Sequence, residues 1–184
     1  MTIVITSGDP SGIGPEIVQK AWICLKKNPL NEFFWIGDPL HLPDSNIPWQ
    51  QIEHPDQASK VFGDALPILI HKFAHPIKVG QHQPENAADI IKVIKRAVSL
   101  VKTNKAKALC TSPINKNVLM SGANFPYTGH TEFLANLDAI DNPVMMLACS
   151  KLKVVPVTTH IPLKDVANRI SKKLLTETIK ITNA

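Results

Sequence analysis

Short apolar runs separated by polar turns predict a set of buried strands along this chain. The runs are rich in β-branched and aromatic residues, and they are shorter than ordinary helices. They cover Thr2–Thr6, Phe33–Gly37, Leu66–His71 and Ala106–Cys110. Two later runs, Pro143–Cys149 and Lys151–Thr159, are separated by Ser150 alone, which predicts a hairpin or two adjacent strands.

Helical periodicity is clearest between Gly80 and Asn104. Apolar residues recur there at steps of three and four, while lysines and an arginine occupy the opposite face, which we interpret as solvated. Asn86 is placed to cap the start of this helix, with Asp89 three residues further on. The last stretch, Ser171–Asn183, predicts the beginning of another helix.

Residues 38–66 show little periodicity and are rich in Pro, His, Asp and Gln. Such segments usually lie on the surface. We therefore interpret His41 and His54 as surface histidines that are too scattered to form a metal site.

A glycine-rich turn, Ser7–Glu16, connects the first strand to an apolar-periodic segment, Ile17–Lys27. Strand, turn and helix in this order open a βα unit, and Pro15 suits the first turn of the helix. The turn is neither GxGxxG nor a P-loop, so a dinucleotide pyrophosphate there is poorly supported. Asp9, the one acid before the helix start, either orients a ligand group or caps the turn.

The polar stretch Thr111–Ala135 follows the fourth predicted strand and is the main candidate site. It collects hydroxyl, amide, ammonium and imidazole groups at the carboxyl end of a strand, where ligands of open α/β sheets bind. A helix that opens at Gly129 would place His130 and Thr131 beside free backbone N–H groups, which attract anions. The group suits a phosphorylated polar metabolite, although the same composition is also typical of turns.

Composition and charge describe a soluble globular chain. The 184 residues are 44% hydrophobic and 19% charged, and the net charge of +5 is spread along the chain, which does not favour nucleic-acid binding. Cys24, Cys110 and Cys149 lie in apolar surroundings, which predicts buried, reduced thiols and a cytoplasmic protein. No apolar run approaches the roughly 20 residues of a membrane span, so we expect no membrane association.

His160 follows the last predicted strand, between Thr159 and a Pro-containing turn. An imidazole at the rim of a sheet can bind a metal or transfer a proton. By itself, however, a single histidine is more often structural.

Three motifs, taken together, resemble the family of 4-hydroxythreonine-4-phosphate dehydrogenase of the pyridoxal phosphate pathway. They are Ile5-Thr-Ser-Gly-Asp-Pro-Ser-Gly-Ile-Gly-Pro-Glu16, Thr111-Ser-Pro-Ile-Asn-Lys116 with Phe125-Pro-Tyr-Thr-Gly-His-Thr-Glu-Phe133, and Thr158-Thr-His-Ile-Pro-Leu163. The resemblance covers nearly the whole chain and is weakest at residues 38–80.

The resemblance implies a three-layer α/β/α fold of the isocitrate/isopropylmalate dehydrogenase type and a homodimer with its active site between subunits. It implies that His130 and Thr131 contact the phosphorylated substrate and that His160 binds a divalent metal, zinc, magnesium or cobalt. It also implies oxidation by NAD followed by decarboxylation to 3-amino-2-oxopropyl phosphate. The catalytic and NAD-binding residues stay unassigned.

Members of that family are longer than this chain. The resemblance therefore implies that residues 1–184 are the N-terminal portion of a single α/β dehydrogenase chain, inactive alone, because two further metal-binding histidines and most of the NAD site lie beyond Ala184. Three alternatives stay open: a non-catalytic half-domain that binds a phosphometabolite or a partner chain, a dehydrogenase of another phosphorylated hydroxy acid, and an acyltransferase of related topology.

Overall fold

A computed structural model describes residues 2–44 and 46–183. The chain divides into two compact units, Met1–Leu137 and Asp138–Ala184, called here the first and second units. The strands are β1 (Ile3–Thr6), β2 (Phe33–Gly37), β3 (Trp49–Gln51), β4 (Leu66–Ile70), β5 (Ala108–Cys110), β6 (Leu147–Ala148) and β7 (Lys153–Val154). The α-helices are α1 (Gly14–Leu25), α2 (Ala58–Val61), α3 (Ala87–Lys102), α4 (Lys116–Ala123), α5 (His130–Leu137), α6 (Val166–Arg169) and α7 (Lys172–Asn183).

The first unit is built on a parallel five-stranded sheet in the order β3-β4-β2-β1-β5. Alternating residues of β2 separate the two faces: Phe33 and Trp35 pack with Trp22 of α1, whereas Phe34 and Ile36 pack on the side of α3. All four of these β2 side chains are buried. A sheet covered by helices on both faces confirms the predicted three-layer α/β/α arrangement.

Helix α3 uses two stripes of its surface. Val93 and Ala97 pack on the sheet, while Ile90 and Ile94 pack against residues of α4 and α5. The helix therefore connects the sheet to the segment that carries the main candidate site. Asn86 occupies the N-cap position of α3, as predicted, but its side chain makes no capping hydrogen bond.

The prediction that Ala106–Cys110 forms a buried strand is wrong in its burial. β5 forms, but it pairs with β1 alone among the described strands and is the edge of the sheet. Leu109 packs toward the core on the α3 side, whereas Ala108 and Cys110 point to the opposite face and are exposed. The sequence pattern shows an apolar run but not whether a second strand covers its edge.

The prediction that the three cysteine thiols are buried is also wrong. Cys24, Cys110 and Cys149 are free, as expected of reduced cysteines, but all three are exposed. Cys24 lies on the outer surface of α1, opposite the Trp22 stripe that packs on the sheet.

The weakly periodic stretch 38–66 contains more structure than predicted, namely β3 and α2. His41, predicted to be exposed, is buried at 9% exposure, because its ring packs edge-to-face on Phe73 with centroids 4.9 Å apart. His54 is exposed, as predicted.

The second unit has a small antiparallel ladder and two helices. The predicted hairpin is confirmed as β6 and β7, although each strand is only two residues long and exposed. The predicted final helix is confirmed as α7, with Ser171 accepting a hydrogen bond from the N–H of Leu174 at 3.1 Å. Across the described residues of both units, none of the helices combines the length and apolarity that crossing a membrane requires.

Candidate functional site

The carboxyl ends of β1 and β5 are where the order of the sheet reverses. The chain passes from β1 to β2 on one side and returns to place β5 on the other side of β1. Ligands of open α/β sheets bind in the crevice at such a reversal. Both predicted polar segments, the glycine-rich turn and the loop after β5, begin there.

The two segments are held together by direct hydrogen bonds. The N–H of Asp9 donates to the carbonyl of Pro113 at 2.8 Å, and the N–H of Ser112 donates to the hydroxyl of Thr6 at 3.1 Å. Gly8 has φ of +67°, and a Cβ at this position would collide with the Pro113 carbonyl. Only glycine fits this close approach without strain.

A cleft of about 630 Å³ opens between these segments. Asp9, Gly12 and Ile13 line it from the glycine-rich side. The opposite wall is the run from Pro113 to Asn117, which includes the Lys116 side chain. The cleft therefore combines a carboxylate, an ammonium group and apolar surface.

Two polar residues of the predicted ligand-binding loop also have structural roles. Asn115 caps α4, since its Oδ1 accepts hydrogen bonds from the N–H groups of Asn117 and Val118 at 3.0 and 3.3 Å. Ser112 is buried at 2% exposure beside the glycine-rich turn. The helix α4 itself was not predicted.

The predicted helix opening at Gly129 is confirmed, because α5 begins at His130. An aromatic cluster of Phe125, Tyr127 and Phe133 fixes this helix, with ring centroids 5.0 to 5.1 Å apart. The Tyr127 hydroxyl donates to Oδ1 of Asn136 at 2.7 Å. The Lys116 side chain passes close to the start of α5. Its Cε lies 3.7 Å from the position that a Cβ on Gly129 would occupy.

His130 is half-buried, and its Nε2 is buried without a hydrogen-bond partner in the described part of the chain. Burial lowers the pKa of His130 below its usual value, so the ring is neutral at physiological pH. Thr131 follows in the first turn of α5 and is exposed. A neutral imidazole and a hydroxyl at a helix start can both hydrogen-bond a polar ligand.

His160 lies in the second unit, after β7, and is exposed. Its φ of +57° is in the left-handed region, which is uncommon for residues other than glycine. Within residues 2–44 and 46–183, no group of three or more His, Cys, Asp or Glu side chains could hold a metal ion.

Sequence reasoning missed the segment that lies against the glycine-rich turn. Gly80 donates its N–H to the carbonyl of Ser11 at 2.8 Å, and the Ser11 hydroxyl donates to Oε1 of Gln83 at 2.7 Å. Gln83 in turn donates to the carbonyl of Pro76 at 2.9 Å. Nothing in the local pattern of residues 76–83 signals the two contacts with Ser11, which join positions about 70 residues apart.

Comparison with known proteins gives one consistent result. The sequence matches the family described as pyridoxal phosphate biosynthetic protein PdxA over residues 27–184. A curated 4-hydroxythreonine-4-phosphate dehydrogenase from Ruegeria sp. (strain TM1040) is 47% identical, over 98% of this chain and 55% of that protein. A protein of the same name from Roseobacter denitrificans is 45% identical, over 99% of this chain and 55% of its own length.

A solved structure agrees with the sequence comparisons. The crystal structure of a 4-hydroxythreonine-4-phosphate dehydrogenase from Burkholderia phymatum matches with a TM-score of 0.87 and 32% identity, over 97% of this chain and 56% of that one. The chain spans about half the length of the curated relatives it matches. It belongs to the PdxA family.

Proposed function

We propose that this chain, residues 1–184, supplies the N-terminal portion of a single-chain 4-hydroxythreonine-4-phosphate dehydrogenase, the name its relatives carry. Beside family membership, one observation supports the proposal: the buried Nε2 of His130, which has no partner among the described residues. A buried polar atom without a hydrogen bond costs free energy, and a bound ligand group would remove that cost.

In this proposal, His130 and Thr131 contact the phosphorylated substrate. The neutral His130 ring forms a hydrogen bond with a polar group of the substrate and adds no charge to the site. The Thr131 hydroxyl adds a second contact from the same turn of α5. The catalytic and NAD-binding residues stay unassigned.

The proposed reaction has two steps. The substrate hydroxyl loses a proton while its carbon transfers a hydride to NAD, which yields a β-keto acid and NADH. The carbon–carbon bond to the carboxylate then breaks, carbon dioxide leaves, and a proton adds to give 3-amino-2-oxopropyl phosphate. This chain's part in both steps is to bind and orient the substrate through α5.

A divalent metal, zinc, magnesium or cobalt, belongs to the proposal with His160 as one ligand. The described residues do not form a metal centre by themselves, since His160 has no cluster of further ligands around it. Catalytic metals usually have about three protein ligands. We therefore assign the remaining ligands to other parts of the enzyme, which we propose is a cytoplasmic homodimer with its active site between subunits.

We propose that the isolated chain is inactive, because the remaining metal ligands are assigned to other parts of the enzyme. The same observations also suit a non-catalytic half-domain that pairs with another polypeptide, and the PdxA match leaves open a dehydrogenase acting on another phosphorylated hydroxy acid.

The test is a titration of the labelled chain with 4-hydroxythreonine 4-phosphate, followed by NMR of the histidine rings. We expect the His130 resonances to shift and the His130→Asn variant to bind at least about tenfold more weakly, the loss of a hydrogen bond to a buried partner. His75→Gln, at an exposed position of the same unit, is the control. Unchanged His130 resonances would contradict the substrate role, and tight stoichiometric binding of zinc would contradict the proposed incompleteness.

A further inference from the structure

Asp9 is a buried carboxylate at the switch point of the sheet. It is only 8% exposed, yet it lines the cleft between the glycine-rich turn and the loop after β5. Lys116 lines the other wall, and Ile13 and Ile114 supply apolar surface.

The position of Asp9 is fixed from several directions. Its Oδ1 accepts the N–H of Ser11 at 3.0 Å, and its carbonyl accepts the N–H of Gly12 at 3.1 Å. Its own N–H donates to the carbonyl of Pro113. Ser11 is itself held by Gly80 and Gln83. The carboxylate is therefore preorganised before any ligand arrives.

The turn does not require a negative charge. Asn28 and Asn115 make the same side-chain bond to the N–H two residues on, each at 3.0 Å. An asparagine at position 9 would cap the turn equally well. Burial raises the pKa of Asp9, although the Ser11 N–H and the charge of His82 act in the opposite direction. Keeping the Asp9 carboxylate charged therefore costs free energy.

We propose that Asp9 is a ligand-binding residue that accepts a hydrogen bond from a hydroxyl or amine donor of the molecule bound in the cleft. This inference rests on the proposed function, because two molecules of that reaction carry such donors. The substrate has hydroxyl and amino groups, and NAD has ribose hydroxyls and a carboxamide.

The experiment compares three forms of the 184-residue chain: wild type, Asp9→Asn and Asp38→Asn. Asp38 is the matched control, since it is 7% exposed, follows the neighbouring strand β2, and accepts the N–H of Leu40 in the same kind of turn. Each nitrogen-labelled protein is titrated separately with 4-hydroxythreonine 4-phosphate and with NAD. Amides of residues 9, 11, 12 and 115–117 report on the cleft, and the His130 ring reports on α5.

We expect one of the two probes to shift the resonances of the cleft amides. The Asp9→Asn variant should bind that probe at least tenfold more weakly than wild type. Its melting temperature should equal or exceed that of wild type. Asp38→Asn should bind like wild type. The probe that responds identifies the source of the donor. Should Asp9→Asn fail to fold, Asp9→Ser, which also caps turns, replaces it.

Equal affinity of Asp9→Asn and wild type overturns the inference, as does the absence of cleft shifts with both probes. If the substrate shifts His130 but neither probe shifts the cleft, the proposed function stands and the role of Asp9 is wrong. Cleft shifts that depend on Asp9 without any change at His130 support Asp9 and contradict the substrate role of His130.

Discussion

At the residue scale, the buried His41 and the half-buried His71 make the stability of the first unit depend on pH. Burial lowers the pKa of His41, against the charge of Asp38, and also lowers the pKa of His71, against the charge of Asp89. Nε2 of His71 lies 3.5 Å from Oδ1 of Asp89, too far for a strong hydrogen bond. Neither ring therefore gains enough from its neighbouring carboxylate to offset the burial of a charge.

We predict that the free energy of unfolding falls as the pH is lowered through about 6.5, where the unfolded chain takes up protons that the folded chain still excludes. The loss of unfolding free energy continues until the pH reaches the lowered pKa of the histidine in the folded chain, and then stops. Each tenfold difference between the folded and unfolded ionisation constants contributes about 1.4 kcal/mol to this loss. Chemical denaturation between about pH 8 and pH 5 measures it.

His41→Leu should make this pH dependence shallower, because it removes one buried imidazole from the ring contact with Phe73. His75→Gln, which changes an exposed side chain, is the matched control. Equal pH slopes for His41→Leu and wild type would contradict the assignment.

At the element scale, α3 determines where the candidate site lies. Its sheet-facing stripe and its outward stripe are both apolar and buried, so α4 and α5 are packed on it as an additional layer of the first unit. His130 is one residue of that layer. The position of the proposed substrate contact thus depends on a helix that lies outside the cleft itself.

We predict that Ile90→Ala, at a fully buried position of the outward stripe, costs about 2–5 kcal/mol of the free energy of unfolding, as large-to-small core substitutions do. It should also speed amide exchange in α4 and α5 and shift the His130 ring resonances. Val93→Ala, on the sheet-facing stripe, should destabilise without that selective effect on α5. The exposed Lys95→Ala should change stability by less than about 0.5 kcal/mol.

At the scale of the whole molecule, the two units differ in how much core they contain. The first unit has three clusters of buried apolar side chains. Among the described residues of the second unit, Thr178 alone is buried, while large apolar side chains such as Leu147, Leu152 and Ile179 are exposed. A unit with so little buried apolar surface has little free energy to offset its conformational entropy.

We predict that hydrogen exchange separates the two units in the intact chain. Amides of β6, β7 and α7 should exchange on the order of 100-fold faster than those of β1, β2 and α3, as expected for elements without a core. Helix α5 is the internal control, since Phe133 anchors it to the first unit. Uniform protection along the chain would contradict the prediction.

The sequence by itself determined the elements whose signals are local. Four strands and the helix α3 followed from apolar runs and from steps of three and four residues, and the start of α5 followed from a glycine before a polar helix turn. The motifs that carry the family resemblance are also local, and the PdxA match confirms the family they indicated.

Only the tertiary structure decided what depends on neighbours distant in the chain. It placed β5 at an edge, where Ala108 and Cys110 are exposed, and it buried His41 against Phe73 from another segment. It brought Gln83 to Ser11 and made Asn115 the cap of a helix. Burial and hydrogen-bond partners are set by packing between segments, and a pattern read along one segment does not contain them.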